Sequence, residues 1–145
     1  MEKIRINLGD RSYEICAGKD LLSKEDIFFK YIFRKNIAII TNDTVAPLYL
    51  EKLKRNFSKS KSVIDIILSD GEQFKNHDSL NQIYEALLKN KYGRDSILVA
   101  LGGGVIGDIT GYAAATYMRG IDFIQVPTSL LSQVDSSVRV GQTRG

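Results

Sequence analysis

Leu101-Gly102-Gly103-Gly104-Val105-Ile106-Gly107-Asp108 is the stretch whose residue types and spacing best suit chemistry. An apolar run, Ser96 to Leu101, precedes it and reads as a buried strand, and Ile109 to Met118 follows it and reads as a helix. Glycines at such a junction let backbone N–H groups approach an anion, and the helix N-terminus adds a favourable dipole. The simpler reading is a tight turn that needs glycine only for its backbone angles. Three adjacent glycines and a fourth at Gly107 exceed what one turn requires, which favours contact with a phosphate or a dinucleotide.

Three other polar clusters also follow apolar runs. Asn42-Asp43-Thr44 comes after Asn36 to Thr41, Ser69 to Asn76 after Ser62 to Leu68, and Pro127-Thr128-Ser129 after Ile121 to Val126. Ligands bind at the carboxyl ends of strands in open α/β sheets, so the four clusters would line one edge. Each residue also has a plain structural role open to it. Asn42 or Asp43 suits a helix cap as well as a ligand contact. Glu72 suits ribose hydroxyls and Lys75 a phosphate, or the two form a surface ion pair. Thr128 and Ser129 suit phosphate or ribose, or cap the next helix. Asp135 falls in Leu130 to Val138, which reads as a helix, and is either surface or site. The glycines come late in the chain and no acidic residue ends the strand after them. This departs from the usual dinucleotide fingerprint and leaves ribose contacts to earlier residues such as Asn42 or Glu72.

The elements that must position these residues follow from hydrophobic period. Ile4, Ile6 and Leu8 alternate with charged residues, and Tyr13 to Cys16 resumes strand character after Gly9-Asp10, which predicts a β-hairpin. Asp20 to Phe28 reads as a short helix. Asn36 to Thr41 is a continuous apolar run suited to a strand covered on both faces. Val45 to Phe57 reads as a helix with Pro47 in its first turn. Ser79 to Lys89 places Leu80, Ile83, Tyr84, Leu87 and Leu88 at helical spacing as core contacts. Gly111, Ala113, Ala114 and Ala115 suit close packing of the helix after the glycines. Strands alternating with helices predict an α/β fold, Rossmann-like, with a mainly parallel sheet, helices on both faces and the hairpin at its start.

Composition narrows the functional classes. Among 145 residues, Lys plus Arg number 20 and Asp plus Glu 17, and these charges are spread along the chain, as on a solvated surface. The basic cluster Lys52, Lys54, Arg55, Lys59 and Lys61 lacks interleaved aromatics, so a nucleic-acid partner is not expected. No apolar run has membrane-spanning length and no signal peptide opens the chain, so a cytoplasmic protein without a membrane partner is expected. One cysteine, Cys16, excludes an internal disulfide, and with one histidine, His77, falls short of a usual zinc cage.

Asp70-Gly71-Glu72-Gln73-Phe74-Lys75, Gly102 to Asp108, Tyr117-Met118-Arg119-Gly120, Gln125 to Leu131 and Gln133 to Val138, taken in order, closely resemble the 3-dehydroquinate synthase family of sugar-phosphate cyclases. The resemblance runs through nearly the whole chain to Val138. It implies an N-terminal α/β domain that binds NAD and a C-terminal helical domain that holds a divalent metal, zinc or cobalt. It also implies conversion of 3-deoxy-D-arabino-heptulosonate 7-phosphate to 3-dehydroquinate and phosphate in the shikimate pathway. On matching positions it assigns Asn42, Asp70, Gly71, Glu72, Gln73, Phe74, Lys75, Gly104, Val105, Ile106, Gly107, Asp108, Thr128 and Ser129 to the cofactor. Asp108 falls to the nicotinamide side and Asn42 to the adenosine end. Asp135 would approach the reacting centre. Arg119 would bind the substrate phosphate in the partner subunit's site of a homodimer.

The chain also departs from the family. After Asp-Ser-Ser-Val the family usually continues Gly-Gly-Lys-Thr-Gly, whereas this chain reads Arg139-Val140-Gly141, with Gly141 where the active-site lysine stands. The family's metal-binding glutamate and two histidines have no counterpart, and His77 matches neither histidine. The resemblance therefore implies an NAD-binding domain over residues 1–138 and an aberrant or incomplete tail over 139–145. Such a chain reads as a truncated or frameshifted form of a longer enzyme, inactive alone, with a natural stand-alone domain, a sister sugar-phosphate cyclase or a non-catalytic nucleotide-binding fragment as the alternatives.

Overall fold

Two strands, β3 (Asn36–Asn42) and β5 (Ser96–Gly102), are buried at every residue. A strand of continuous Ile, Ala, Leu and Val must be covered on both faces, so it sits inside a sheet between two layers of helices. The computed structural model describes residues 2–6, 13–18, 25–69, 77–128 and 136–141. The other strands are β1 (Glu2–Ile6), β2 (Tyr13–Gly18), β4 (Ser62–Leu68), β6 (Asp122–Pro127) and β7 (Ser136–Gly141). Their order across the sheet is β1-β2-β7-β6-β5-β3-β4. The block β4-β3-β5-β6 is parallel throughout, and β7, β2 and β1 extend it by antiparallel pairings.

Side-chain parity divides the core. Ile37, Ile39, Ile97, Val99 and Leu101 pack with Phe28 and Ile32 of α1 (Glu25–Ile32) and with Leu50 and Leu53 of α2 (Ala46–Lys54). Ala38, Ile40, Leu98 and Ala100 face the other way. They meet Ile83 and Leu87 of α3 (His77–Lys89) and Ile106, Ile109, Ala113 and Ala114 of α4 (Gly104–Thr116). Each fully buried aliphatic side chain contributes roughly 1.5–3 kcal/mol, so the two layers are held on by hydrophobic burial. Short 3-10 turns, Arg55–Phe57 and Tyr117–Arg119, end α2 and α4. Phe57 from the first meets Phe28 edge-on, with ring centroids 5.4 Å apart.

The predicted α/β fold with helices on both faces is the observed one, and β1 pairs with β2 as a hairpin with Ile6 opposite Tyr13. The hairpin's Gly9-Asp10 turn lies outside the described residues. Four local expectations need correction. The helix expected over Asp20 to Phe28 extends to Ile32, because Phe28 and Ile32 form one buried stripe. Leu88 is 62 % exposed, because Ile83 and Leu87 already fill the helix face toward the sheet. Ala115 is exposed as well, since Ala113 and Ala114 make the contact.

The fourth correction concerns Leu130 to Val138. Its described end, Ser136–Gly141, is a strand rather than helix, and so part of the expected tail belongs to the sheet. It fills the gap between β2 and β6, pairing with both. Unpaired strand edges leave backbone donors and acceptors unmatched, and alternating Val138 and Val140 suit a pleated strand.

At the N-terminal ends of the parallel strands a polar network joins the elements. The Tyr92 hydroxyl donates to the Ile37 carbonyl at 2.9 Å and lies 2.9 Å from Ser62 Oγ. Ser62 Oγ lies 2.9 Å from Asn36 Oδ1 as well, so its one proton is shared between Tyr92 and Asn36; Asn36 Nδ2 donates to Asp95, and the Tyr117 hydroxyl donates to the Tyr92 carbonyl. Burial pushes both tyrosine hydroxyls above their ordinary value; at Tyr92 the Ser62 hydrogen bond partly opposes this. The folded state then holds these protons more tightly than the unfolded chain. Their contribution to stability is complete below pH of about 10 and is lost as pH rises through the folded value. Stability measured by urea midpoint is expected to fall above that pH, and to fall less steeply in the Tyr92→Phe, Tyr117→Phe double variant.

Candidate functional site

Register brings the carboxyl ends of the four parallel strands to one edge. Asn42 stands opposite Leu68, and the Asp43 N–H donates to the Leu68 carbonyl at 3.0 Å. Ile40 stands opposite Ala100, which brings Asn42 level with Gly102, and Gly102 stands opposite Pro127. The edge therefore gathers Asn42 to Thr44, the chain leaving β4 at Leu68, the glycines and Thr128. Asp70, Gly71, Glu72, Gln73, Phe74, Lys75, Ser129 and Asp135 lie outside the described residues.

Two helices start at this edge. Just ahead of α2 the Asn42 Oδ1 accepts from the Val45 N–H at 2.8 Å and the Thr44 N–H at 3.1 Å. Asn42 thus closes the turn that leads into α2, whose own cap residue, Val45, makes no side-chain cap bond.

At α4 the cap is Gly103, in extended backbone, and no side chain bonds to it among the described residues. The Gly107 N–H donates to the Gly103 carbonyl at 3.0 Å and closes the first turn. The N–H groups of Gly104, Val105 and Ile106 precede that bond and have no partner within the helix. They are directed off the edge, with the positive end of the helix dipole behind them.

The glycine cluster separates into two parts. A Cβ on Gly102 would stand 2.9 Å from Ile106 Cβ, and one on Gly107 would overlap the Gln125 amide nitrogen. Gly102 is required by packing, whereas at Gly107 only the movable end of the Gln125 side chain would have to turn aside. Gly103 and Gly104 are exposed, neither has positive φ, and a Cβ on either meets nothing within 4 Å. The fold itself makes no demand for glycine there, and the open space lies against three available N–H groups. This arrangement accepts a phosphate or pyrophosphate. The helix also starts five residues earlier than Ile109, so Gly104 to Asp108 form its opening turns rather than a loop. Ile106 is a core side chain and has only its backbone to offer a ligand, while Asp108 is exposed on the second turn.

Arg119 is elsewhere. It follows α4, whose thirteen residues span about 20 Å. It is therefore at the opposite edge of the sheet from Gly104, far beyond the reach of one side chain. Arg119 is exposed with φ of 65°, next to Met118 at 51° and Gly120 at 107°.

In the basic cluster, Lys54 lies 3.1 Å from Asp65, and this hydrogen bond is the main reason its ammonium holds its proton more tightly than usual. Exposed pairs of this kind contribute little, and the cluster reads as solvated surface. Among the described residues no group of three His, Cys, Asp or Glu could hold a metal, and His77 is simply the exposed first residue of α3. Among those residues no helix is long and apolar enough to cross a membrane. Sequence reasoning passed over Gln125; the four-residue spacing of Gly107 and Gly111 was the available signal that something packs closely on that helix face.

A family model described as 3-dehydroquinate synthase N-terminal matches residues 65–143. The 3-dehydroquinate synthase of Shewanella sp. (strain MR-4) is 55 % identical over 137 residues, covering 94 % of this chain and 38 % of that protein. That of Shewanella frigidimarina (strain NCIMB 400) is 53 % identical over 138 residues, covering 95 % and 38 %. The chain thus spans somewhat over a third of the length of these relatives. Among solved structures, a 2-deoxy-scyllo-inosose synthase complexed with carbaglucose-6-phosphate, NAD+ and Co2+ superposes with a TM-score of 0.77 at 26 % identity, covering 88 % of this chain and 35 % of that one. A 2-epi-5-epi-valiolone synthase from Streptomyces hygroscopicus subsp. jinggangensis 5008, with NAD+ and Zn2+ bound, shares the fold with a TM-score of 0.64 at 24 % identity, covering 76 % and 31 %.

If the Asn42 carboxamide secures the start of α2, Asn42→Ala is expected to destabilise the protein by about 1 kcal/mol. Thermal or urea unfolding of the variant checks this.

Proposed function

The chain belongs to the 3-dehydroquinate synthase family through its N-terminal part, and from that membership we propose that it is the NAD-binding portion of a 3-dehydroquinate synthase. The observation that carries this reading is the start of α4, where Gly103 and Gly104 leave open space against the N–H groups of residues 104–106, which no side chain caps among the described residues. The identities of 53–55 % to 3-dehydroquinate synthases, against 26 % to the inosose synthase, support this substrate over that of a sister cyclase. In the reaction so proposed, 3-deoxy-D-arabino-heptulosonate 7-phosphate becomes 3-dehydroquinate and phosphate, within the shikimate pathway and in the cytoplasm. NAD, when bound, supplies a reversible oxidation of one carbinol that acidifies the neighbouring C–H and lets phosphate leave.

The residues present fit the cofactor. The N–H groups of Gly104, Val105 and Ile106 receive the pyrophosphate, with the dipole of α4 behind them. Gly107 continues the first turn of α4, and Asp108 stands toward the nicotinamide. Thr128 and Ser129 offer hydroxyls from the end of β6, and Asp70 to Lys75 offer ribose and phosphate contacts from the end of β4. Asn42, its Oδ1 engaged with α2, shapes the adenosine end. Asp135 approaches the reacting centre.

Arg119, at the far edge, acts on the phosphate of substrate bound by the partner subunit of a homodimer, where its fork of donors suits a phosphate. The divalent metal of the family finds no ligand set among the described residues, and no step is routed through it. On this reading residues 1–138 keep the family's sequence and 139–145 depart from it, although β7 carries the sheet of the cofactor domain on through Gly141.

Calorimetric titration tests the reading: saturable NAD binding is expected, and its absence at millimolar cofactor overturns it. Gly104→Glu supplies the sharper check. An acidic side chain in the first turn stabilises a helix by about 0.3–1 kcal/mol while repelling a bound pyrophosphate. The variant is expected to melt no lower than wild type and to bind NAD more than about tenfold more weakly. The chain by itself is expected to release no phosphate from the sugar phosphate, which a phosphate-release assay measures directly.

A further inference from the structure

We propose that the turns ahead of β3 and β4, at the edge opposite the glycines, form a second binding surface, one for single-stranded nucleic acid. Phe29 and Phe33 offer rings to bases there, and Arg34, Lys35, Lys59 and Lys61 meet phosphates. The proposal goes beyond the NAD reading and does not depend on it.

Along the chain, Lys59 and Lys61 belong to a basic cluster without interleaved aromatics. The fold supplies the aromatics from another element. The Arg34 N–H donates to the Lys59 carbonyl at 3.2 Å, and the Lys61 N–H donates to the Lys35 carbonyl at 2.7 Å. These bonds lace the two turns together, about one strand spacing of 4.8 Å apart. Arg34, Lys59 and Lys61 are exposed and Lys35 is half-buried. Among the described residues no ion pair engages any of the four. Asp65 is taken by Lys54, and Asp95 accepts from the Asn36 carboxamide.

The rings are a separate observation. Phe33 continues the last turn of α1, its N–H donating to the Phe29 carbonyl at 3.1 Å. The two ring centroids lie 5.2 Å apart with the planes tilted by 37°, and the Arg34 guanidinium stands 5.1 Å from the Phe33 centroid. Phe29 is 42 % exposed and Phe33 46 %. Phe28 and Ile32 already serve the core from this helix, so the interior makes no call on the outer pair. A cation beside the negative end of a helix needs no ligand to explain it. Two exposed rings, one under a guanidinium and both beside unpaired cations, suit an unpaired strand. Bases stack on aromatic and guanidinium planes while cations follow the backbone. An acidic peptide would use the cations and leave the rings idle, and a duplex keeps its base faces hidden.

Fluorescence anisotropy of a labelled dT homopolymer of about ten nucleotides, read against this chain at several salt concentrations, tests the proposal. Saturable binding is expected, weakening as salt rises. Lys59→Gln with Lys61→Gln is expected to lower the slope of log K against log salt by about 1.4, since each phosphate contact on a single strand contributes about 0.7. At fixed salt Phe33→Ala is expected to weaken binding at least about fivefold, and Phe33→Tyr to retain it. Phe29→Ala reads the same stacking from a second position, and melting temperatures identify any variant that loses the fold. Saturating NAD is expected to leave oligonucleotide binding unchanged. Absence of saturable binding, or both ring variants binding as wild type does, overturns the inference. So does competition by NAD, or tighter binding to a poly-glutamate peptide or to phosphatidylserine vesicles than to the oligonucleotide. Protein that binds the oligonucleotide but not NAD overturns the cofactor reading alone.

Discussion

Burial of β3 and β5 on both faces is the constraint from which the other features follow. A strand with no exposed residue must have a neighbour on each side and a helix layer above and below. Parallel neighbours joined by helices satisfy both needs at once, and their shared direction sends every carboxyl end of the block to the same edge. The candidate site is a consequence of this packing. Asn42, Leu68, Gly102 and Pro127 come level because the apolar residues behind them are in register.

The glycine cluster shows how two demands share one motif. Gly102 is small because Ile106 occupies the space where a side chain would go, while Gly107 touches only the movable end of Gln125. Gly103 and Gly104 meet no such obstacle, and their smallness is explained by what approaches from outside the fold. A reading of the sequence sees four glycines of one kind. Only the position of Ile106 separates the one the interior requires from those left open toward a ligand.

Much of the parallel block was legible because its signals are local. Asn36–Asn42 and Ser62–Leu68 are apolar runs bounded by polar clusters, and α3 carries a clear helical period. What was not legible depends on competition between distant segments. Leu88 has the right spacing for the core, but Ile83 and Leu87 reach it first. Ser136–Gly141 adopts a strand because β2 and β6 both offer an edge, a fact absent from its own residues. The dual role open to Asn42 was visible, but its settled bonds to Thr44 and Val45 were not. The separation of Arg119 from the glycines follows only from the length of α4, once its start at Gly104 is known.

The turns at the far edge have one further consequence. Arg34, Lys91 and Arg119 each stand between a helix and the next strand with φ near 60°, a left-handed position that glycine usually fills. Each costs roughly 1–2 kcal/mol of backbone strain, partly offset by a cation close to a helix C-terminus. All three lie at the edge away from the start of α4. At Lys91, to which no ligand role is given, the thermal margin of this fold is thus adjustable while the cofactor rim stays unchanged, so durability and recognition are free to drift independently there.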